Sequence, residues 1–167
     1  MTAYRPKMRS VKASVLTQAG WVSGTFSLPP IQGFLDFLNQ AKSFIKMSSV
    51  VLPDGTAASF LAVPRSAALV VVPDPEDSNL QARGLAGATT AHKVLCLFGA
   101  GVLEGTLDIT GNLRVSDYLM QHSDFIGLRD AVIRFSTPGD VPSDSAPIPF
   151  VAVYAGGLIG VSQIAAP

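Results

Sequence analysis

The feature that most constrains this chain is the similarity between its two halves. A shift of 81 positions aligns residues 20–52 with residues 101–133 without a gap. Nine identical pairs are spread over the window: Gly20/Gly101, Gly24/Gly105, Thr25/Thr106, Asp36/Asp117, Leu38/Leu119, Gln40/Gln121, Phe44/Phe125, Ile45/Ile126 and Val51/Val132. Four more pairs follow at a shift of 90: Phe60/Phe150, Ala62/Ala152, Val63/Val153 and Val71/Val161. A fixed shift of this kind predicts two copies of one small structural unit.

The alignment also predicts the domain boundaries. We expect a basic N-terminal tail over residues 1–10, a first copy over 11–73, a linker over 74–91 and a second copy over 92–164. The change of shift from 81 to 90 places nine extra residues in the second copy, in a loop predicted over 134–149. Pro, Ser and Asp are frequent in this loop, and the sequence leaves open whether it is functional or only mobile.

Strand-like alternation appears at the same place in both copies. Val22, Gly24 and Phe26 fall on one face of a predicted strand, and Leu103, Gly105 and Leu107 repeat the pattern. This period of two is typical of a half-buried strand. A glycine at the same inner position of each copy indicates a bend or a close approach of the backbone.

Short helices are predicted after these strands, and each has an aspartate near its start. Asp36 and Asp117 are expected to accept backbone N–H groups or to favour the positive helix end. The runs FIKMSSVVL and FIGLRDAVI predict third strands, and Pro53-Asp54-Gly55 predicts a turn. The fold class is therefore mainly β with short helices.

This order of elements resembles the Sm-like small β-barrel, which is an SH3-like, strongly bent five-stranded sheet. The resemblance lies in the steps VSGTF (22–26) and LEGTL (103–107) and in the closing hairpins FLAVPRSAALVVV and FVAVYAGGLIGV. More narrowly, the chain is similar to an uncharacterised bacterial family of Sm-like domains with a helical insert that carries an Asp-aromatic-Leu step, here DFL and DYL. The resemblance implies two tandem barrels that form a pseudo-dimer.

The residues by which Sm proteins bind RNA are not matched. Those proteins pair an Asp and an Asn after strand two with an Arg-Gly in the last hairpin, whereas the hairpins here contain Pro64-Arg65-Ser66 and Tyr154-Ala155-Gly156. RNA binding is therefore not carried over from the family. What the resemblance does imply is the pairing of edge strands between units, in rings or with partner strands.

Composition narrows the classes of function. Hydrophobic residues make up 48% of the chain and charged residues 14%, so part of an apolar surface is expected to meet a protein partner or another copy. Twelve basic and twelve acidic residues give no global attraction to nucleic acid. No apolar run is long enough to span a membrane and no signal peptide is evident, so a cytoplasmic location is expected.

The sequence offers few groups for catalysis or metal binding. The two histidines, His92 and His122, have no Cys, Asp or His at ligand spacing, and no nucleophile elbow is present. The single cysteine, Cys96, lies in the apolar run VLCLF and is interpreted as a buried hydrophobic residue. We therefore expect no catalytic residues, no metal site and no cofactor, and we expect that the protein is not an enzyme.

Residues that differ between the copies are the candidates for specific interactions. Trp21, Arg65 and Tyr154 each occur in only one copy. Trp21 is placed on the outer face of its strand, where it either contacts a partner or covers the junction between the copies.

Three functions are considered. The leading hypothesis is a non-enzymatic interaction or assembly protein. The alternatives are a nucleic-acid-associated regulator, because Arg5, Lys7, Arg9 and Lys12 form a basic segment, and a small-molecule sensor with a site between the copies.

Overall fold

The computed structural model describes residues 5–76, 88–99, 101–122, 124–135 and 147–164. The elements of this part of the chain are β1 (Arg9–Thr17), β2 (Gly20–Leu28), α1 (Phe34–Gln40), β3 (Phe44–Val51), β4 (Ala57–Pro64), β5 (Val70–Pro73), β6 (Thr89–Phe98), β7 (Gly101–Thr110), α2 (Val115–Gln121), β8 (Phe125–Phe135), β9 (Ile148–Tyr154) and β10 (Gly160–Gln163). Single 3-10 turns, Arg65–Ala67 and Ala155–Gly157, follow β4 and β9. The prediction of a mainly β protein with short helices is confirmed.

All ten strands lie in one antiparallel sheet with the order β10-β6-β7-β8-β9-β5-β1-β2-β3-β4. We call β1–β5 the first strand set and β6–β10 the second strand set. The two sets meet where β5 pairs with β9, through Val70↔Val153 and Val71↔Ala152. We call this pairing the internal junction. The sheet is not closed, because β4 and β10 lie at its two ends.

Strand pairing in the second set repeats that of the first set. Val15 pairs with Val22 between β1 and β2, and Cys96 pairs with Leu103 between β6 and β7, which is the same pair shifted by 81 positions. Between the third and fourth strands of each set, the pairs Ile45↔Val63 and Ile126↔Val153 likewise correspond. The structural equivalence of residues therefore follows the alignment of the sequence.

Both inner glycines lie at a break in the strand ladder. The pairing of β2 with β3 shifts between Ser23 and Thr25, and that of β7 with β8 shifts between Glu104 and Thr106. A Cβ atom on Gly24 would lie 3.1 Å from the carbonyl oxygen of Ser48, which is tighter than ordinary contact. The expected close approach of the backbone at this position is therefore present.

Two hydrophobic clusters form the core, and each contains residues from both strand sets. The first consists mainly of first-set residues but includes Phe125 and Ala152. The second consists mainly of second-set residues but includes Leu16, Trp21, Val70 and Val72. Because apolar burial is the main favourable term in folding, this exchange of side chains holds the two sets together.

The structure gives the ends of the helices and strands. Gly33 and Arg114 occupy the N-cap positions of α1 and α2, so Asp36 and Asp117 are not N-caps and lie in the first turns, where the alternative of an acidic residue at the positive helix end placed them. Strand β1 begins inside the predicted tail, and β6 begins inside the predicted linker, because Thr89 still pairs with Thr110. Strands β8 and β9 likewise extend into the predicted loop 134–149. Residues 136–146 of that loop and residues 77–87 of the linker lie outside the described residues.

Among the described residues, no helix is both long enough and apolar enough to cross a membrane.

Candidate interaction surface

Trp21 lies at the internal junction, with only 3% of its surface exposed. It belongs to the second core cluster together with Val70 of β5 and Val153 of β9. The Trp21 side chain, which alternation assigned to the outer face of β2, is therefore buried with residues of the second strand set, whereas Ser23 and Ser27 farther along that face are exposed. This burial favours the alternative in which Trp21 covers the junction over the one in which it contacts a separate partner.

Arg65 and Tyr154, the other two candidates, also lie at the internal junction. The Arg65 guanidinium forms an ion pair with Asp124 of the second set at 2.5 Å and lies 6.0 Å from the ring centre of Phe125. The Tyr154 ring packs against Phe125 at 5.3 Å between ring centroids, and its backbone N–H donates to the Leu69 carbonyl at 2.9 Å. The structure thus brings all three predicted residues to the same boundary.

Asn39 is a junction residue that the sequence analysis missed. Its side-chain amide accepts a hydrogen bond from the Phe125 N–H at 2.8 Å and donates one to the Phe125 carbonyl at 3.1 Å. These two bonds attach α1 of the first set to the start of β8. A signal was present in the sequence, because the residue that aligns with it in the second strand set is the apolar Met120.

The open ends of the sheet contain the equivalents of the junction surfaces. Strands β3 and β4, with Phe44 and Phe60, are the equivalents of β8 and β9, and β10 is the equivalent of β5. Phe125 is 2% exposed at the junction, whereas its equivalent Phe44 is 61% exposed at the open end. Ala152 is fully buried, whereas its equivalent Ala62 is exposed. The difference in burial arises because β9 has a neighbouring strand and β4 has none in the described chain.

Exposed apolar side chains are concentrated at these two ends. Seven of the ten large hydrophobic residues that are exposed in the described chain lie there: Phe44, Val51, Phe60, Leu97, Leu113, Met120 and Ile159. Single exposed apolar residues are normal on a protein surface, but a group of them at a sheet edge is typical of an interaction site.

A groove of about 720 Å³ lies beside the open edge of the second set. Its apolar lining comes from Leu113, Leu119, Met120 and Val161, and Thr90, His92 and Gln163 contribute polar groups. We call it the α2–β10 groove. The corresponding residues of the first set, Leu38 and Val71, are fully buried in a cluster that includes Phe125. The first set therefore has a covered surface where the second set has an open groove.

Comparisons with protein-family models, curated proteins and solved structures found no match. The interpretation of the junction and of the open ends therefore rests on their own geometry.

Both histidines and Arg129 lie close to polar groups of neighbouring residues. His92 lies 3.2 Å from the side-chain nitrogen of Gln163, and His122 stacks on Tyr118 with its Nδ1 2.8 Å from the Tyr118 carbonyl. Arg129 donates two hydrogen bonds to the Asp108 carboxylate, which raises the pKa of the guanidinium. The described part of the chain contains no group of three His, Cys, Asp or Glu residues that could hold a metal ion.

Cys96 is fully buried in the second core cluster. Burial raises the pKa of its thiol to about 12, because the thiolate would lose its hydration. The thiol is therefore protonated at neutral pH and unreactive towards reagents in solution.

Proposed function

We propose that the protein is a non-enzymatic assembly protein that joins protein strands at the two open edges of its sheet, β4 and β10. The observation that carries this proposal is the internal junction, where equivalents of these two edges are paired with each other. A chain whose two ends are complementary in this way has the means to continue the same pairing with a further strand.

The direction of the backbone groups supports this proposal. The N–H of Arg65 donates to the carbonyl of Ser43, so it faces inward to β3. N–H direction alternates along a strand, so the N–H groups of Ala62, Phe60 and Ala58 face away from β3. At the junction the equivalent Ala152 pairs with Val71 of β5. At Ala62 the open β4 edge therefore offers an incoming strand the same backbone groups that β9 offers to β5 at Ala152.

The proposal includes the duplication and the resemblance to Sm-like barrels. Two copies of one five-stranded unit, arranged in tandem, account for the corresponding strand order and pairing of the two sets. In this proposal one chain, with its two covalently linked strand sets, is the smallest piece of a larger assembly. The same edge contact is used between the two sets of one chain and between neighbouring chains.

Two features weaken the contact at the open edges relative to the internal junction. Pro64 stands where Tyr154 stands in β9, and it has no N–H to donate to a partner. Ser43 and Ala155 stand in place of Asp124 and Arg65, so the ion pair is absent from an edge contact. We therefore expect an association that depends on protein concentration and is weaker than the internal junction.

Sedimentation velocity over a roughly hundredfold range of concentration tests the proposal. The wild-type protein is expected to gain mass with concentration, and Ala62→Pro is expected to remain a monomer because it removes an outward N–H from the pairing segment. Ala58→Pro is the matched control. This substitution also removes an outward N–H. Position 58, however, lies outside residues 60–63, the four residues with which the short β10 would pair. A wild-type protein that stays monomeric and captures no partner through β4 or β10 contradicts the proposal.

A further inference from the structure

We propose that the occupant of the open edges is a second copy of this chain, bound head to tail, with Phe44 of one copy seated in the α2–β10 groove of the next. This inference rests on the proposed function and names the partner and its orientation. Strand β4 of one copy then pairs with β10 of the other through Val63↔Gly160 and Ala62↔Val161. These pairs are the equivalents of Val153↔Val70 and Ala152↔Val71.

The internal junction shows how such a contact is packed. Phe125 of β8 is 2% exposed and belongs to the first core cluster, in which Leu38 of α1 and Val71 of β5 are fully buried. Asn39 of α1 holds the backbone of Phe125 with two hydrogen bonds. The aromatic side chain at the start of the third strand is thus buried in the core cluster that contains residues of the helix and of the last strand of the other set.

The open ends of the sheet provide an equivalent aromatic side chain and an equivalent apolar groove, and neither meets the other within one chain. Phe44, the equivalent of Phe125, is 61% exposed. The α2–β10 groove is lined by Leu119, Met120 and Val161, which are the equivalents of Leu38, Asn39 and Val71. A groove with an apolar lining next to an unpaired strand accepts an aromatic side chain from the strand that pairs there. The exposed aromatic residue and the groove that fits it therefore occur in one chain, at opposite ends of its sheet.

The differences between the two contacts also favour a second copy. The groove has Met120, which is 89% exposed, where the junction has Asn39. A methionine supplies apolar and aromatic contact to Phe44 where the junction uses two hydrogen bonds to a backbone. Phe60 of β4, which is 57% exposed, lies on the same open edge and adds a second apolar side chain to the contact. Since the two surfaces differ, the contact is heterologous and each copy binds one neighbour at each end.

Sedimentation equilibrium of charged variants tests this inference. Phe44→Glu alters only the β3–β4 end and Met120→Glu only the α2–β10 end, and each is expected to weaken self-association by at least about tenfold in Kd. Ile31→Glu is the matched control, because Ile31 is 77% exposed but lies in the turn before α1 and on neither edge strand. It is expected to keep the wild-type Kd. All three positions are exposed, so unchanged circular dichroism and thermal midpoints verify the folding of each variant.

Mixing the variants tests the orientation. A mixture of Phe44→Glu and Met120→Glu retains one intact contact, between the α2–β10 end of the first and the β3–β4 end of the second. It is expected to form a dimer of one chain of each kind and nothing larger, while each variant alone stays monomeric. Self-association of Met120→Glu alone at wild-type strength overturns the head-to-tail arrangement.

The outcomes separate this inference from the function on which it rests. If the wild-type protein stays monomeric, the inference that a second copy occupies the open edges is wrong, and so is the inference that Phe44 contacts it. If wild-type protein associates and Ala62→Pro prevents it, but Phe44→Glu does not, edge pairing stands and the seating of Phe44 in the groove is wrong.

Discussion

Replacing Trp21 with alanine is expected to lower the free energy of unfolding by about 3–5 kcal/mol, because it leaves a large cavity in a packed core. The side chain is 3% exposed and belongs to the cluster shared by the two strand sets. A loss of this size is a large part of the roughly 5–15 kcal/mol that stabilises a typical domain.

Denaturant unfolding followed by circular dichroism measures the effect, since the variant has no tryptophan left for fluorescence. Val102→Ala is the matched control, because Val102 is the equivalent residue on β7 and is only partly buried. It is expected to cost about 1 kcal/mol or less. Similar losses for the two variants would show that Trp21 does not hold the junction together.

Replacing Ala152 with aspartate is expected to destabilise the protein by about 3–5 kcal/mol or to prevent folding, because it buries a charge without a partner. Ala152 is fully buried in the middle of the internal junction, where it pairs with Val71. The measurement is the midpoint of chemical unfolding, or the yield of soluble protein if the variant does not fold.

Ala62→Asp places the same charge at the equivalent residue of the open edge. Ala62 is exposed, so this variant is expected to change the stability of the monomer by no more than about 0.5 kcal/mol. The difference between the stability losses of Ala152→Asp and Ala62→Asp then measures the effect of the neighbouring strand. Equal losses would mean that Ala62 is already covered in the isolated chain.

The order of elements within each strand set was predictable from the sequence because it depends on local patterns. Val22 and Phe26 alternate with polar residues, and both are buried as this alternation predicts. Gly55 has a positive φ of 87° in the turn predicted from Pro53-Asp54-Gly55, where glycine is the residue that adopts it without strain. The strand alternation occurs at two places in the sequence, 81 positions apart, and this agreement strengthened its prediction.

The internal junction was not predictable, because it depends on which edges of two similar units meet. Phe44 and Phe125 are identical residues at equivalent positions, yet one is exposed and the other buried. No pattern within one strand set distinguishes them, since their burial is set by a strand from the other set. Trp21 was assigned to the face opposite Phe26, but the sequence did not show that residues of the second set bury this side chain.

Residues that occur in only one copy were expected to hold a specific function. Arg65, Tyr154 and Trp21 instead lie at the internal junction, where they distinguish it from the open edges. In the proposed assembly this difference keeps the two units of one chain firmly paired while contacts between chains remain reversible.

The most direct test of head-to-tail edge pairing is a disulfide cross-link between two separate chains. One chain carries Ala62→Cys in β4 and the other carries Val161→Cys in β10. Ala62 is exposed and Val161 is partly exposed, so both thiols are accessible before the chains pair. The native Cys96 does not interfere, because its thiol is buried and its pKa is raised to about 12.

Under mild oxidation the two chains are expected to form a covalent heterodimer much faster than a control pair in which Ala58→Cys replaces Ala62→Cys. Ala58 lies in the same strand and on the same face, but four residues away, which is about 13 Å along an extended strand. Selective cross-linking of Ala62→Cys to Val161→Cys is the result that the proposed assembly predicts. Equal rates for the two pairs, or no cross-linked heterodimer at all, would contradict it.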